Sequence, residues 1–299
     1  MDVFEEIDKK FDLKKKVNNL SKLLVEKRYF LLGGYVCSAE TYFDKYYFRQ
    51  WKYSLGCDNL EEFKTETGIY YQKSDDIGFS FYPYDEISAI KFLQFAFNIV
   101  CYMREKMQKN NYHDIYDETN FFEIFDTRFA YIISKINQKV VEHPKENYYL
   151  IVPCNDKTKR CADLQTDVNV AFLFYEYTSS LLKGNIDRKR RILKELSNVY
   201  EPMIKTNKKL YPNGPVHDIF DKLGKILNNF NIRHNNSDPK IKEYYKPELN
   251  NFTQREYEEI YDACYDLILN ATLLNEYTHK TNVICEKFFK RIEKKEESK

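Results

Sequence analysis

Apolar residues recur at intervals of three and four along most of this chain, and that spacing predicts amphipathic α-helices. The first stripe runs through Val17, Leu20, Leu23 and Leu24. Further helix-compatible patterns cover residues 39–53, 58–67, 85–101, 119–141, 163–182, 187–200, 216–230 and 257–271. Gly68 and Gly184 follow two of these segments, as glycine often does at a helix C-terminus. The chain is therefore predicted to be mostly helical.

Two segments lack the helical period. Residues 70–84 mix β-branched, aromatic and turn residues, so a loop or a hairpin is expected there. Residues 148–152 are a short apolar run between Pro144 and Pro153, which predicts a strand or a buried extended segment. The predicted fold class is mainly α: a helical bundle with a small β or extended insertion in its N-terminal half.

The polar and basic stretch 154–160 is the predicted boundary within the chain and is expected to be a loop. Residues 1–160 are expected to form an N-terminal helical region of unassigned role. Residues 161–292 are expected to form a C-terminal helical bundle. The charged residues 293–299 are expected to be a disordered tail.

Composition narrows the choice of compartment and partner. Lys plus Arg number 47 and Asp plus Glu 46, so the net charge of +1 gives no global field that attracts polyanions. No apolar run approaches the roughly 20 residues that span a bilayer, so no membrane partner is expected. Seven scattered cysteines without a CxxC pair predict reduced thiols in a cytoplasmic protein.

No metal or cofactor is expected from the motifs. The carboxylate pairs Asp163 with Asp167 and Asp262 with Asp266 could hold Mg²⁺, but no further acid accompanies them, so they are interpreted as surface acids. Gly33 and Gly34 lack the other glycines of a dinucleotide-binding fingerprint.

The candidate chemistry lies where the helix predicted over 216–230 ends. Asn, Ser, Asp and Pro fill residues 228–239 and must break that helix, which leaves Arg233 and His234 at or just beyond its end, between Asn228 and Asn235. A second helix is predicted to begin at a capping box formed by Thr253 and Glu256. The two segments form a helical hairpin with an Arg–His–Asn cluster at its joint.

These residue types suit the cleavage of RNA without a metal. A neutral imidazole such as that of His234 can take the proton of a ribose 2′-hydroxyl, and a guanidinium such as that of Arg233 can hold the phosphate. The amides of Asn228 or Asn235 could orient the imidazole or the phosphate.

The hairpin over 216–277, with 163–205 as a preceding helix pair, resembles the HEPN superfamily of compact helical domains. These domains occur in prokaryotic toxins, abortive-infection proteins and CRISPR-associated ribonucleases. The resemblance implies a metal-independent endoribonuclease or an RNA-binding protein of bacterial antiviral defence or stress, working as a homodimer whose two copies build the site. The family places its histidine four to six residues after the arginine, whereas here His234 follows Arg233 directly.

Three alternatives stay open. Arg and His are favoured at a helix C-terminus by the helix dipole and Asn is a common turn residue, so the cluster could be structural in a protein-interaction module. A regulator that binds phosphate or a nucleotide would also use Arg233. The basic run Arg188, Lys189, Arg190 and Arg191 could bind RNA phosphates or form a solvated helix face.

Overall fold

The computed structural model describes residues 11–54, 57–69, 71–74, 78–110, 118–211, 213–240 and 243–296. Within these ranges the chain forms ten α-helices and three two-stranded antiparallel hairpins, all of the hairpins lying before residue 154. The predicted mainly α fold with small β additions is therefore confirmed. The chain divides into two compact units. The first is Met1–Cys154 with Ser179–Leu181, and the second is Asn155–Thr178 with Leu182–Lys299.

The first unit contains five helices and all six strands described. In chain order these are α1 (Leu13–Val25), β1 (Phe30–Leu32), β2 (Tyr35–Cys37), α2 (Ala39–Tyr46), α3 (Leu60–Thr67), β3 (Tyr71–Ser74), β4 (Gly78–Phe81), α4 (Glu86–Asn110), α5 (Glu118–Lys135), β5 (Gln138–Glu142) and β6 (Tyr149–Pro153). A 3₁₀ turn, Phe48–Gln50, follows α2. The sheets pair β1 with β2, β3 with β4 and β5 with β6.

Local sequence explains where these elements begin and turn. Asp85 accepts a hydrogen bond from the Ser88 N–H at 2.8 Å, as expected for the residue that caps α4. Gly33 and Gly34 both have positive φ and join β1 to β2 through a two-residue turn, a conformation that residues with a Cβ seldom adopt. The expected hairpin within 70–84 is present as β3 and β4.

The helix predicted over 119–141 is wrong in its last part, since α5 ends at Lys135. Asn137 has a φ of 52°, which stops the helix, and the chain then enters β5. The β-branched residues Val140 and Val141 pair there with Ile151 and Leu150. The spacing of apolar residues within 119–141 does not reveal this pairing, because the partner strand lies elsewhere in the sequence.

The hairpin of β5 and β6 is attached to α4 by two buried amides. The Gln94 Oε1 accepts a hydrogen bond from the Ile151 N–H at 2.9 Å. The Asn98 side chain accepts from the Tyr149 N–H and donates to the Tyr149 carbonyl, both at 2.8 Å. Because these amides satisfy the edge of β6, a polar strand edge can lie against a buried helix face.

The described residues of the second unit form helices joined by turns and loops, without a strand. Its helices are α6 (Asp156–Asp163), α7 (Val168–Thr178), α8 (Ile186–Leu210), α9 (Pro215–Asn229) and α10 (Gln254–Glu296). The 3₁₀ turns Ser180–Leu182 and Pro247–Asn251 lie between them.

Three expectations for this region differ from the structure. The stretch 154–160 is not a loop, because the Asn155 side chain caps α6 by accepting from the Thr158 N–H. The single helix predicted over 163–182 is shorter in the structure, because α7 covers only Val168–Thr178 and the 3₁₀ turn Ser180–Leu182 follows it. Residues 293–296 of the expected disordered tail continue α10, and 297–299 lie outside the described residues.

The core of the second unit lies between α8, α9 and α10. Its largest fully buried side chains include Tyr200, Phe220 and Tyr261. Tyr200 keeps its hydroxyl satisfied because Thr272 of α10 donates a hydrogen bond to it at 2.7 Å. Pro202 lies inside α8, which continues to Leu210.

The seven cysteines are free thiols. Burial raises the pKa of Cys101 to about 12 in the first unit, and those of Cys161 and Cys264 to about 11 and about 12 in the second. Cys154 and Cys285 are exposed. In the part of the chain that the structure describes, no helix combines the length and apolar content needed to cross a membrane.

Truncation of the α8 core face should destabilise the second unit. Leu196 is completely buried, so Leu196→Ala is expected to lower the free energy of unfolding by about 2–5 kcal/mol. Leu210→Ala, on the same helix but 64% exposed, should change it by about 0.5 kcal/mol or less. Urea denaturation followed by circular dichroism measures both, and equal effects would contradict the assigned core.

Candidate functional site

The end of α9 places the predicted site residues. Asn231 has a φ of 59°, a left-handed conformation that asparagine tolerates better than most residues. The chain reverses there, and the Arg233 N–H donates to the Leu227 carbonyl at 3.1 Å. Arg233 and His234 therefore lie just beyond the helix, as the sequence predicted.

We call residues 228–240 and 243–246 the elbow, and the buried side chain of Asn236 holds these two ranges together. The Asn236 Oδ1 accepts a hydrogen bond from the Asn231 N–H at 3.0 Å. Its Nδ2 donates to the carbonyls of Asn228 and Tyr244 at 3.0 and 2.9 Å. One amide thus replaces helix partners that α9 loses at its end and holds the two sides of the elbow together.

The side chain of Asn231 completes this network. Its Oδ1 accepts from the Ser237 N–H at 2.9 Å, and its Nδ2 donates to the Tyr257 hydroxyl of α10, also at 2.9 Å. The sequence indicated that asparagines were concentrated here. It did not show which of them are buried, so Asn231 and Asn236 were missed.

The elbow and α8 enclose a cleft of about 780 Å³. Three of the four predicted catalytic residues line it: Asn228, Arg233 and His234. The other lining residues are Glu201, Asn229, Asn236, Glu243, Tyr244, Tyr245 and Lys246. Asn235 belongs to the adjoining turn, where its Oδ1 accepts from the Ser237 hydroxyl at 3.3 Å and its carbonyl accepts from the Asp238 N–H at 3.1 Å.

The Arg233 guanidinium is held from two directions at this cleft. Its Nη1 donates to the Asn228 Oδ1 at 3.1 Å, and its Nη2 forms an ion pair with Glu201 of α8. Only 17% of the Arg233 side chain is exposed. Glu201 is a site residue that sequence reasoning missed, because it reaches the cleft through the packing of two separate helices.

His234 stacks on Tyr244, with ring centroids 4.0 Å apart and ring planes inclined by 3°. This contact uses the faces of the two rings and fixes the imidazole plane. The imidazole nitrogens lie at the ring edge, so stacking does not consume their hydrogen-bonding capacity.

Glu201 is the carboxylate with the most altered titration in the cleft. The hydrogen bond from Lys205 and the positive charge of Arg233 lower its pKa, and the charge of His234 adds to this effect. Glu201 therefore stays ionised to a lower pH than an ordinary glutamate. A hydrogen bond with Glu243 raises the pKa of the Tyr244 phenol, which favours its neutral form.

Three of the four residues of the basic run have partners within the protein. Arg188 makes a bidentate pair with Glu176, at 2.6 and 2.7 Å. Lys189 is buried and paired with Glu258 at 2.8 Å and with Asp262 at 2.7 Å. The alternative that the run forms a solvated helix face does not fit Lys189 either, because this side chain is buried.

Arg190 and Arg191, the other two members of the run, differ in their surroundings. Arg190 donates to the Asn231 carbonyl and so ties α8 to the elbow. Arg191 is exposed. Contact of RNA with Arg188, Lys189 or Arg190 would first have to displace an existing partner.

Asp163, Asp167, Asp262 and Asp266 are exposed. Asp262 nevertheless has a structural role, because it accepts hydrogen bonds from Lys189 and from the Tyr177 hydroxyl. Among the described residues, no group of three or more His, Cys, Asp or Glu is placed to hold a metal ion.

No protein-family model, curated protein or solved structure matches this chain.

Removal of the Asn236 amide should open the elbow. Asn236→Ala leaves one N–H and two carbonyls without their partner, so the free energy of unfolding should fall by about 2 kcal/mol or more. Asn235→Ala is the matched control, with an expected change of about 0.5 kcal/mol or less. Denaturation and amide hydrogen exchange at 228–237 test the pair. Similar losses in the two variants would contradict the role assigned to Asn236.

Proposed function

We propose that the second unit binds single-stranded RNA in the elbow cleft and cleaves it without a metal. The observation that carries this proposal is that Arg233, His234 and Glu201 line one cleft. They supply the three kinds of group that attack by a 2′-hydroxyl requires: a phosphate ligand, a proton donor and a proton acceptor.

The first step in this proposal is an exchange of partners at Arg233. A phosphate entering the cleft displaces Glu201 from the guanidinium, which suits bidentate phosphate binding. The exchange frees a carboxylate beside the bound nucleotide. The hydrogen bond from Lys205, which is the largest cause of the lowered Glu201 pKa, remains after the exchange, so the freed carboxylate stays ionised and can accept a proton.

The second step is the transesterification. Glu201 accepts the proton of the ribose 2′-hydroxyl as the 2′-oxygen forms its bond to phosphorus. The bond between phosphorus and the 5′-oxygen breaks, and the protonated imidazole of His234 gives its proton to that oxygen. The products are a 2′,3′-cyclic phosphate and a 5′-hydroxyl. Arg233 stabilises the charge on the phosphate oxygens throughout.

Aromatic side chains in the cleft can hold the base. Tyr244 and Tyr245 are both among its lining residues, and stacking of bases on aromatic rings is tolerant of sequence. The amides of Asn228 and Asn229 add hydrogen-bonding groups. The cleft therefore suits an unpaired nucleotide better than a duplex, whose bases are already stacked.

A place in bacterial antiviral defence or stress, in the cytoplasm, rests on the HEPN resemblance. The resemblance also suggests a homodimer. The groups named above all come from one chain, so the proposed chemistry does not depend on a second copy. This differs from the family pattern, in which two copies build the site.

The direct test is cleavage of an unstructured RNA by the full chain in EDTA. The wild type should produce 2′,3′-cyclic phosphate ends, and His234→Ala should lose at least about 100-fold in rate because the proton donor is removed. His279→Ala is the matched control, since His279 is exposed on α10 and lies away from the cleft. Cleavage that needs a metal, or that persists in His234→Ala, would contradict the mechanism.

The structural alternative predicts a different result in the same assay. The wild type would then leave RNA intact and fail to bind it, and Arg233→Ala would lower thermal stability without any other consequence. The cluster would in that case be the framework of a protein-interaction module.

The pH dependence of kcat/KM tests the role of Glu201. Activity should fall as pH decreases through the Glu201 pKa, and that fall should lie below the range of an ordinary glutamate, because the pKa is lowered. Lys205→Ala removes the largest cause of the lowering and should move this limb to higher pH. Lys205→Arg keeps a hydrogen-bond donor to Glu201 and should return the acid limb to its wild-type position. An acid limb that does not respond to Lys205→Ala would remove Glu201 from the proton transfer.

A further inference from the structure

The first unit contains a second cavity, unrelated to the elbow cleft, of about 350 Å³. Its wall is a set of five aromatic side chains: Trp51, Tyr53, Phe63, Phe95 and Tyr148. We call this set the aromatic arc. The volume lies within the range of pockets that hold small molecules.

Each ring of the arc touches the next. Tyr148 packs on Tyr53 with centroids 4.4 Å apart, and Tyr53 on Trp51 at 6.1 Å. Trp51 then meets Phe63 at 5.2 Å, and Phe63 stacks on Phe95 at 5.8 Å. Such a chain of ring contacts holds each plane in position, so the wall offers a fixed apolar surface to a flat ligand.

The polar groups behind the arc are engaged within the protein. Gln94 donates to the Tyr148 hydroxyl at 2.7 Å and accepts from β6, and Asn98 is bound to Tyr149. Tyr53 donates to Glu146, and the Thr67 hydroxyl donates to the Phe63 carbonyl at 2.7 Å. These bonds stabilise the shape of the cavity, and ligand recognition falls to other groups.

Two oppositely charged side chains also line the cavity. Glu66 comes from α3 and Lys91 from α4, and both are exposed. An apolar cavity with one anion and one cation at its rim is complementary to a ligand that has a flat apolar body and a zwitterionic end.

A third feature is the Trp51 indole N–H. Trp51 is 3% exposed, and among the described residues its Nε1 has no hydrogen-bond partner. Buried donors in folded proteins normally have an acceptor. Because the Nε1 atom is itself buried, a ligand in the cavity contacts the indole ring and not this N–H.

We propose that this cavity binds a free aromatic α-amino acid, and L-tyrosine is the member of the class that serves as the probe. The ring lies against the aromatic arc. The carboxylate binds Lys91 and the ammonium binds Glu66. This site is independent of RNA cleavage, and either proposal can fail without the other.

Trp51 makes the test direct, because it is the only tryptophan in the 299-residue chain. Excitation at 295 nm selects its emission over that of added tyrosine. L-Tyrosine should cause a saturable change in this emission and protect it from quenching by acrylamide. p-Cresol, which keeps the ring and the phenol but lacks both charges, should bind at least about 10-fold more weakly. No saturation with L-tyrosine, or equal binding of p-cresol, would overturn the proposal.

Variants at the rim test the charge pairing in the full chain. Lys91→Met and Glu66→Gln should each weaken L-tyrosine binding at least about 10-fold, and circular dichroism should show an unchanged fold, because both side chains are exposed. Lys106→Met on α4 and Glu61→Gln on α3 are matched controls and should bind as the wild type does. Wild-type affinity in both rim variants would exclude the assigned orientation.

Discussion

The second unit depends on how the C-terminal end of α9 is satisfied. The last carbonyls of a helix have no partner within it, and a helix end among packed neighbours must find others. Here the Asn236 Nδ2 donates to the Asn228 carbonyl and the Arg233 N–H donates to the Leu227 carbonyl, and the left-handed Asn231 lies between these two helix residues and Arg233. Because the chain reverses within a few residues, Arg233 pairs with Glu201 of α8, and His234 lines the same cleft, stacked on Tyr244. The cleft is thus a consequence of helix termination.

The two units bury their apolar side chains in different ways. The first relies on interlocked rings, with Phe43, Phe48, Phe63 and Trp51 in mutual edge contacts. The second packs aliphatic faces of long helices and satisfies the hydroxyls of buried tyrosines from neighbouring elements. Its cations are also paired across elements, as Lys189 is with α10. A net charge near zero therefore conceals strong local pairing, and association at the cleft would rest on short-range contacts and not on a long-range field.

The sequence predicted helices wherever one face had to be buried, since that requirement leaves its period in α1, α4 and α9. It failed at β5, where Val140 and Val141 gain from a partner strand that the local pattern does not contain. The positions of Arg233 and His234 beyond α9 were predictable because Asn and Pro must end a helix. Glu201 and Tyr244 were not, since they meet Arg233 and His234 only through packing. The aromatic arc could not be predicted from the sequence either. Aromatic residues that fill a core and those that line a cavity have the same spacing along the chain.

Each unit contains at least one buried free thiol, and its reaction with an alkylating reagent reports when that unit opens. Thiolates are the species that alkylating reagents attack, and burial raises the pKa of Cys37 in the first unit and of Cys161 and Cys264 in the second, which keeps these thiols protonated. Each becomes reactive only when the structure around it opens. The rate of modification of Cys37 therefore reports the opening of the first unit, and that of Cys264 reports the opening of the second. A mass spectrum taken along a denaturation course would separate two events that a single optical signal merges.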